Sequence, residues 1–226
     1  MIKGVLFDMD GVILDTERQG RTIFLGECAK RGYPQVDEIF YEKLLGQTRE
    51  ADCALMKEAL GQEFPFDEMY EAYRDGLHAL AEKGTLPTRP GVAECMKGLK
   101  ARGIRIALAT STARPIVEMY QQHIPEMRDV FDFMVCGKEG GRSKPAPDIY
   151  LKAAAGIGVD ISECIGVEDS LYGLRSIRAA GGTCVMVPDL LRCDERFAGV
   201  VDYELKDLTQ LCPLIDRLNR EPKAKA

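Results

Sequence analysis

Five short segments of the chain are almost unbroken runs of apolar residues: Ile2 to Phe7, Ile104 to Ala109, Phe131 to Cys136, Cys164 to Val167 and Thr183 to Val187. Strands covered on both faces read this way, because no side of them needs a polar residue for water. Helix-period segments lie between most of them. Val92, Cys95, Met96 and Leu99 mark one apolar face, ended by Gly103. Ile149, Ala153, Ala154 and Ile157 mark another, entered through Pro145 and Pro147. Alternation of strand and helix predicts a parallel sheet in a doubly wound α/β core.

The long gap between the first strand and the helix that begins near Pro90 breaks the alternation. It holds only helical patterns: Ile23, Phe24 and Cys28; Leu55, Met56, Ala59 and Leu60; Met69, Tyr70, Tyr73, Leu77 and Leu80. An insertion of this size is too large for a βαβ crossover. It is expected to form a small all-helical cap domain over residues 16–84, with hinges near Leu14 to Thr16 and Gly84 to Pro87. Residues 1–15 and 85–226 then make up a Rossmann-like core.

A length of 226 residues, 46% of them hydrophobic, is enough for such a core, and no low-complexity tract interrupts it apart from a short tail, Glu221 to Ala226. The formal charge of -6 is spread through interleaved acids and bases, so no basic stripe invites nucleic acid or an anionic membrane. The first apolar run is cut by Asp8, and no later run approaches the roughly 18 residues of a membrane span. A soluble cytoplasmic protein with no obligatory protein partner is expected. Eight scattered cysteines with no C-x-x-C pair are expected as reduced, mostly buried thiols.

Four polar clusters fall at the ends of the inferred strands. Asp8-Met9-Asp10-Gly11 sets two carboxylates where the first strand gives way to a glycine turn, at the sheet edge where α/β folds place ligands. Taken alone, the pair fits equally well a turn and a nucleophile with an adjacent proton-transfer group. Gly166-Val167-Glu168-Asp169-Ser170 repeats the arrangement, and its acids also suit an ordinary helix N-terminus. If the two strands are neighbours, their carboxylates converge and need a hard cation such as Mg²⁺. Thr110, Ser111 and Thr112 offer hydroxyls and backbone N–H groups to phosphate oxygens, and Lys144, fixed by Pro145 just before a helix, offers a held ammonium. Together they specify a phosphoryl site. His78 and His123 lie in helical segments without an acidic or cysteine cluster, which gives a zinc site or a His-dependent triad little support.

In order and spacing, Asp8-Met9-Asp10-Gly11-Val12, Thr110, Lys144 within Ser-Lys-Pro and Glu168-Asp169 resemble the four motifs of the haloacid dehalogenase superfamily. The insertion resembles the cap of its β-phosphoglucomutase-like and sugar-phosphate phosphatase subgroup. The resemblance implies Asp8 as nucleophile and metal ligand, Asp10 as acid/base and carbonyl ligand, Thr110 and Ser111 as phosphate contacts and Lys144 as charge neutraliser. Asp169 and Glu168 would hold Mg²⁺, Glu168 directly or through water. The reaction implied is hydrolysis of a small phosphorylated metabolite through an aspartyl-phosphate. Gly46 and Arg49 match the cap loop of β-phosphoglucomutase, and Arg49 would clamp a distal anionic group. Where the mutases carry a His in the first cap helix and a Lys in the cap loop, this chain has Gly20 and Leu45, which favours a phosphatase over a mutase. A receiver-like phosphorylated switch is a weaker reading, because Asp10 beside the acceptor promotes turnover. A dinucleotide-binding oxidoreductase lacks its G-x-G-x-x-G.

Overall fold

The computed structural model describes residues 1–45 and 49–220, and within it the chain divides into two compact units, Met1–Asp15 with Pro87–Ala226, and Thr16–Leu86. In chain order the elements are β1 (Gly4–Phe7), α1 (Thr16–Lys30), α2 (Glu38–Glu42), α3 (Arg49–Leu60), α4 (Phe66–Glu82), α5 (Val92–Ala101), β2 (Arg105–Thr110), α6 (Arg114–His123), β3 (Phe133–Cys136), α7 (Asp148–Gly156), β4 (Cys164–Glu168), α8 (Leu171–Ala180), β5 (Thr183–Met186), β6 (Tyr203–Glu204) and α9 (Leu211–Arg220).

The larger unit is built on a six-stranded sheet in the order β3-β2-β1-β4-β5-β6, with every pairing parallel. The five apolar runs are its first five strands. The sixth, two residues at the edge with no apolar run of its own, was not legible in the sequence. Side chains alternate across the pleat. Leu6, Ala107, Ala109 and Val135 therefore share one face, where they pack with Tyr150, Ala153, Ala154 and Ile157 of α7 and with Leu174 and Ile177 of α8. Val5, Phe7, Ile106 and Leu108 point the other way and are equally inaccessible to water.

The strand order puts β1 between β2 and β4, with Phe7 level with Leu108 on one side and Val167 on the other. The order reverses here, and a doubly wound sheet opens its ligand crevice beyond the carboxyl ends of such strands. The residues that follow β1, β2 and β4 are thereby brought together.

In the smaller unit, α1 packs along α4 and α3 against α4. Gly20 of α1 faces Tyr73 of α4, and a Cβ at position 20 would overlap the tyrosine ring. Phe66, Tyr70 and Tyr73 stack in sequence along α4. The five-residue α2, capped by Asp37 through the N–H of Phe40, is too short to leave a periodic signal.

Candidate active site

Asp8 is the first residue beyond β1, tied to the neighbouring strand by its N–H to the carbonyl of Val167 at 3.0 Å. Its carboxylate is buried, and Oδ1 accepts from Lys144 Nζ at 2.7 Å. The same ammonium donates to Glu168 Oε1 at 2.6 Å and lies 5.2 Å from the centre of the Tyr150 ring. Glu168, the last residue of β4, has a fully buried side chain. Its Oε1 also accepts from the Tyr150 hydroxyl at 2.8 Å, while Oε2 accepts from the N–H and the hydroxyl of Ser170 at 3.2 and 2.9 Å. Ser170 in turn caps α8, accepting from the N–H of Gly173 at 3.1 Å. A Cβ on Gly173 would overlap the Glu168 carboxylate, so the glycine makes room for the acid.

These charges set one another's protonation. Burial is the largest influence on Asp8 and raises its pKa; Lys144 pulls it back, Glu168 and Asp10 push it up again, and the result is about 8. Burial alone would lower Lys144, but the charges of Asp8 and Glu168 outweigh it and hold the ammonium above its ordinary range. Tyr150 is pushed well up by burial and by the charge of Glu168, so it acts as an O–H donor.

Asp10 sits in the turn after β1, where Gly11 takes a φ of 71° that suits glycine. Its Oδ2 accepts from the Thr112 hydroxyl at 2.8 Å, across 102 residues of sequence. Thr110, the last residue of β2, is fully buried and accepts from the N–H of Thr112 at 3.0 Å, a bond that leaves its own hydroxyl proton for another acceptor. Ser111 is exposed and lines a cleft of about 520 Å³ together with Arg114, Lys138, Arg142 and Lys144.

Asp8, Glu168 and Asp169 each present a carboxylate oxygen, all within 4.8 Å of one another. Such an all-oxygen set suits a hard divalent cation. Lys144 occupies Oδ1 of Asp8, which leaves Oδ2 to a further partner, whereas both oxygens of Glu168 already accept two hydrogen bonds each.

The larger unit thus unites Asp8, Asp10, Thr110, Lys144, Glu168 and Asp169 at one sheet edge. Arg49 belongs to the smaller unit, where it lies over the rings of Phe66 and Tyr70 and pairs with Asp67. Gly46 lies outside the described residues. Sequence reasoning missed Tyr150 and Gly173, whose roles depend on where Glu168 falls in space, and it read Thr112 only as part of a hydroxyl cluster.

An aspartate pair at a topological switch point, backed by a buried lysine and a second acidic pair, is an arrangement suited to phosphoryl transfer. The chain matches the haloacid dehalogenase-like hydrolase family over residues 2–181 and belongs to it, as a phosphoric monoester hydrolase. A Drosophila melanogaster protein named probable pseudouridine-5'-phosphatase is 35% identical over 191 residues, which cover 81% of this chain and 80% of that protein. A variant of CbbY from Rhodobacter sphaeroides, crystallised with xylulose-(1,5)-bisphosphate, is 31% identical with a TM-score of 0.74, covering 93% of this chain and 96% of that one. The β-phosphoglucomutase of Clostridium difficile shares the fold at 24% identity and a TM-score of 0.71, over 97% of this chain and 98% of that one.

Proposed function

We propose that the protein is a Mg²⁺-dependent phosphatase of a small phosphorylated sugar, working through a phosphorylated Asp8. The observation that carries this reading is the buried Asp8–Lys144–Glu168 relay at the end of the central strand, with Asp169 on one side and Thr110 on the other. Asp8 and Asp169, with the Asp10 carbonyl that the family resemblance implies, would hold the cation. When bound, it supplies positive charge that keeps Asp8 ionised and offsets the charge of the phosphoryl oxygens.

Lys144 holds Asp8 through Oδ1 and so fixes the carboxylate that attacks phosphorus. Attack forms the Asp8 O–P bond as the ester P–O bond breaks, and Asp10 gives its proton to the departing sugar oxygen. The Thr110 hydroxyl and Lys144 bind phosphoryl oxygens throughout. Asp10, positioned by Thr112, then takes a proton from water as that water attacks phosphorus, which releases inorganic phosphate and restores the Asp8 carboxylate. With its carboxylate already saturated by four hydrogen bonds, Glu168 serves mainly to hold Lys144 in place.

A sugar phosphate is supported by the CbbY relative crystallised with a ketose bisphosphate and by the relative named for a nucleoside monophosphate. Hydrolysis rather than mutase chemistry is favoured by Gly20, because the Tyr73 ring occupies the space that any side chain there would enter. The test is phosphate release from a panel of sugar, sugar-bisphosphate and nucleoside phosphates, with Mg²⁺ and with excess chelator. Release from at least one sugar ester that vanishes in chelator is expected, and full activity in chelator would refute the metal assignment. With β-glucose 1-phosphate and a trace of glucose 1,6-bisphosphate, efficient formation of glucose 6-phosphate with little free phosphate would replace the phosphatase by a mutase.

A further inference from the structure

We propose that Cys95 and Cys212 form a dithiol site that a hydroperoxide oxidises to a disulfide, fastening α5 to α9. The two residues are 117 positions apart in sequence, yet the Cys212 thiol donates to the Cys95 carbonyl oxygen at 3.8 Å, and each thiol acts on the protonation of the other. Gly98, almost one helical turn beyond Cys95, makes the space: a Cβ there would stand 2.8 Å from the Cys212 sulfur. The thiol therefore seats against the backbone of α5 beside its partner.

The surroundings give the two sulfurs different roles. Arg102 is locked in place, with its Nη1 donating to the Gly98 carbonyl at 2.9 Å and its Nε and Nη2 gripping both oxygens of Asp216 at 2.9 and 2.7 Å. Its guanidinium lies beside the Cys212 thiol, which stands in the first turn of α9. The neighbouring Cys95 thiol, together with the charge of Arg102, draws the Cys212 pKa down against the effect of burial. The Cys212 thiol and burial raise Cys95. By contrast, burial pushes up the thiols of Cys28, Cys136, Cys164 and Cys184.

Cys212 is thus the attacking thiolate and Cys95 the resolving thiol. The Cys212 sulfur attacks one oxygen of the peroxide, the O–O bond breaks, and a sulfenic acid and hydroxide form. The Cys95 sulfur then attacks the Cys212 sulfur, the S–O bond breaks, and water leaves with the Cys95 proton. With hydrogen peroxide as the oxidant, each dithiol oxidised reduces one molecule of it to two waters. At 2% and 9% exposure the pair is shielded from bulky reagents, so a small hydroperoxide is the fitting oxidant.

The test uses the reduced full-length protein treated with a small excess of hydrogen peroxide, then alkylated and mapped as peptides without reduction. A peptide joining Cys95 to Cys212 is expected as the dominant linkage, with two of the eight thiols lost and both recovered by dithiothreitol. In Cys95→Ser the link should vanish and dimedone should trap a sulfenic acid at Cys212; Cys193→Ser, at an exposed site, should leave the link intact. Absence of the joined peptide in the oxidised wild-type protein overturns the proposal, and so does a Cys95–Cys212 link that forms no faster in the folded protein than in denaturant. The wild-type map decides the matter even if a serine variant folds poorly.

Discussion

At the scale of single residues, the site depends on which oxygen each donor occupies. Asp8→Asn keeps the shape but removes the charge of the proposed nucleophile, so turnover should be abolished while the circular dichroism spectrum stays that of the wild type. Asp10→Asn keeps Asp8 and loses the proposed proton carrier; kcat should fall about 10²- to 10⁴-fold, measured by phosphate release. Gly173→Ala is the sharper test of the relay. In an ordinary helix that change is favourable by roughly 1 kcal/mol. Here the added methyl overlaps the Glu168 carboxylate, which must give up bonds from Lys144, Tyr150 and Ser170 to make way. The collision wins: kcat should drop more than about tenfold, since more than 1.4 kcal/mol of positioning is lost. Kinetics equal to wild type would show that Glu168 does not position Lys144.

At the scale of elements, α3 carries a test of its own. Asp52 lies in its first turn with Oδ1 buried and without a hydrogen-bond partner among the described residues, and burial raises its pKa to about 6. A carboxyl whose folded pKa is raised favours the folded state in its neutral form; that contribution is complete below about pH 4 and is lost as the pH rises through 6. Asp52→Asn removes the penalty. The two proteins should melt alike near pH 4, and the variant should melt a few degrees higher at pH 7, for about 1 kcal/mol after allowance for partial exposure. What the sequence revealed of the elements follows the same physics. Strands covered on both faces announce themselves as apolar runs, and α1, α3 and α4 carry enough turns to show a period. Tyr203–Glu204 and Glu38–Glu42 are too short to carry a pattern. The four strand-end motifs were legible because their chemistry is costly anywhere else. The partnership of Tyr150 with Glu168, and that of Thr112 with Asp10, exists only once the strands are ordered.

At the scale of the whole molecule, no described helix is long and apolar enough to cross a membrane, and the stability of the larger unit should be linked to the proposed cation. An ion that binds only the folded chain adds about 2.7 kcal/mol at a hundredfold excess over its Kd, so Mg²⁺ should raise the melting temperature of wild type and much less that of Asp169→Asn. Equal shifts in both would place the ion elsewhere. The helical insertion leaves and re-enters the larger unit at adjoining positions: the N–H of Asp15 bonds the Pro87 carbonyl at 2.9 Å, that of Arg89 bonds the Ile13 carbonyl at 2.8 Å, and Leu14 bridges Thr88. Arg89 anchors the larger unit's side of the junction, donating to Asp189 at 2.8 Å and to the Pro188 carbonyl at 3.0 Å. A stretch of chain stitched shut at its base is topologically a single enlarged loop. Its contents are free to diverge or be exchanged between lineages without shifting any strand of the sheet that carries Asp8.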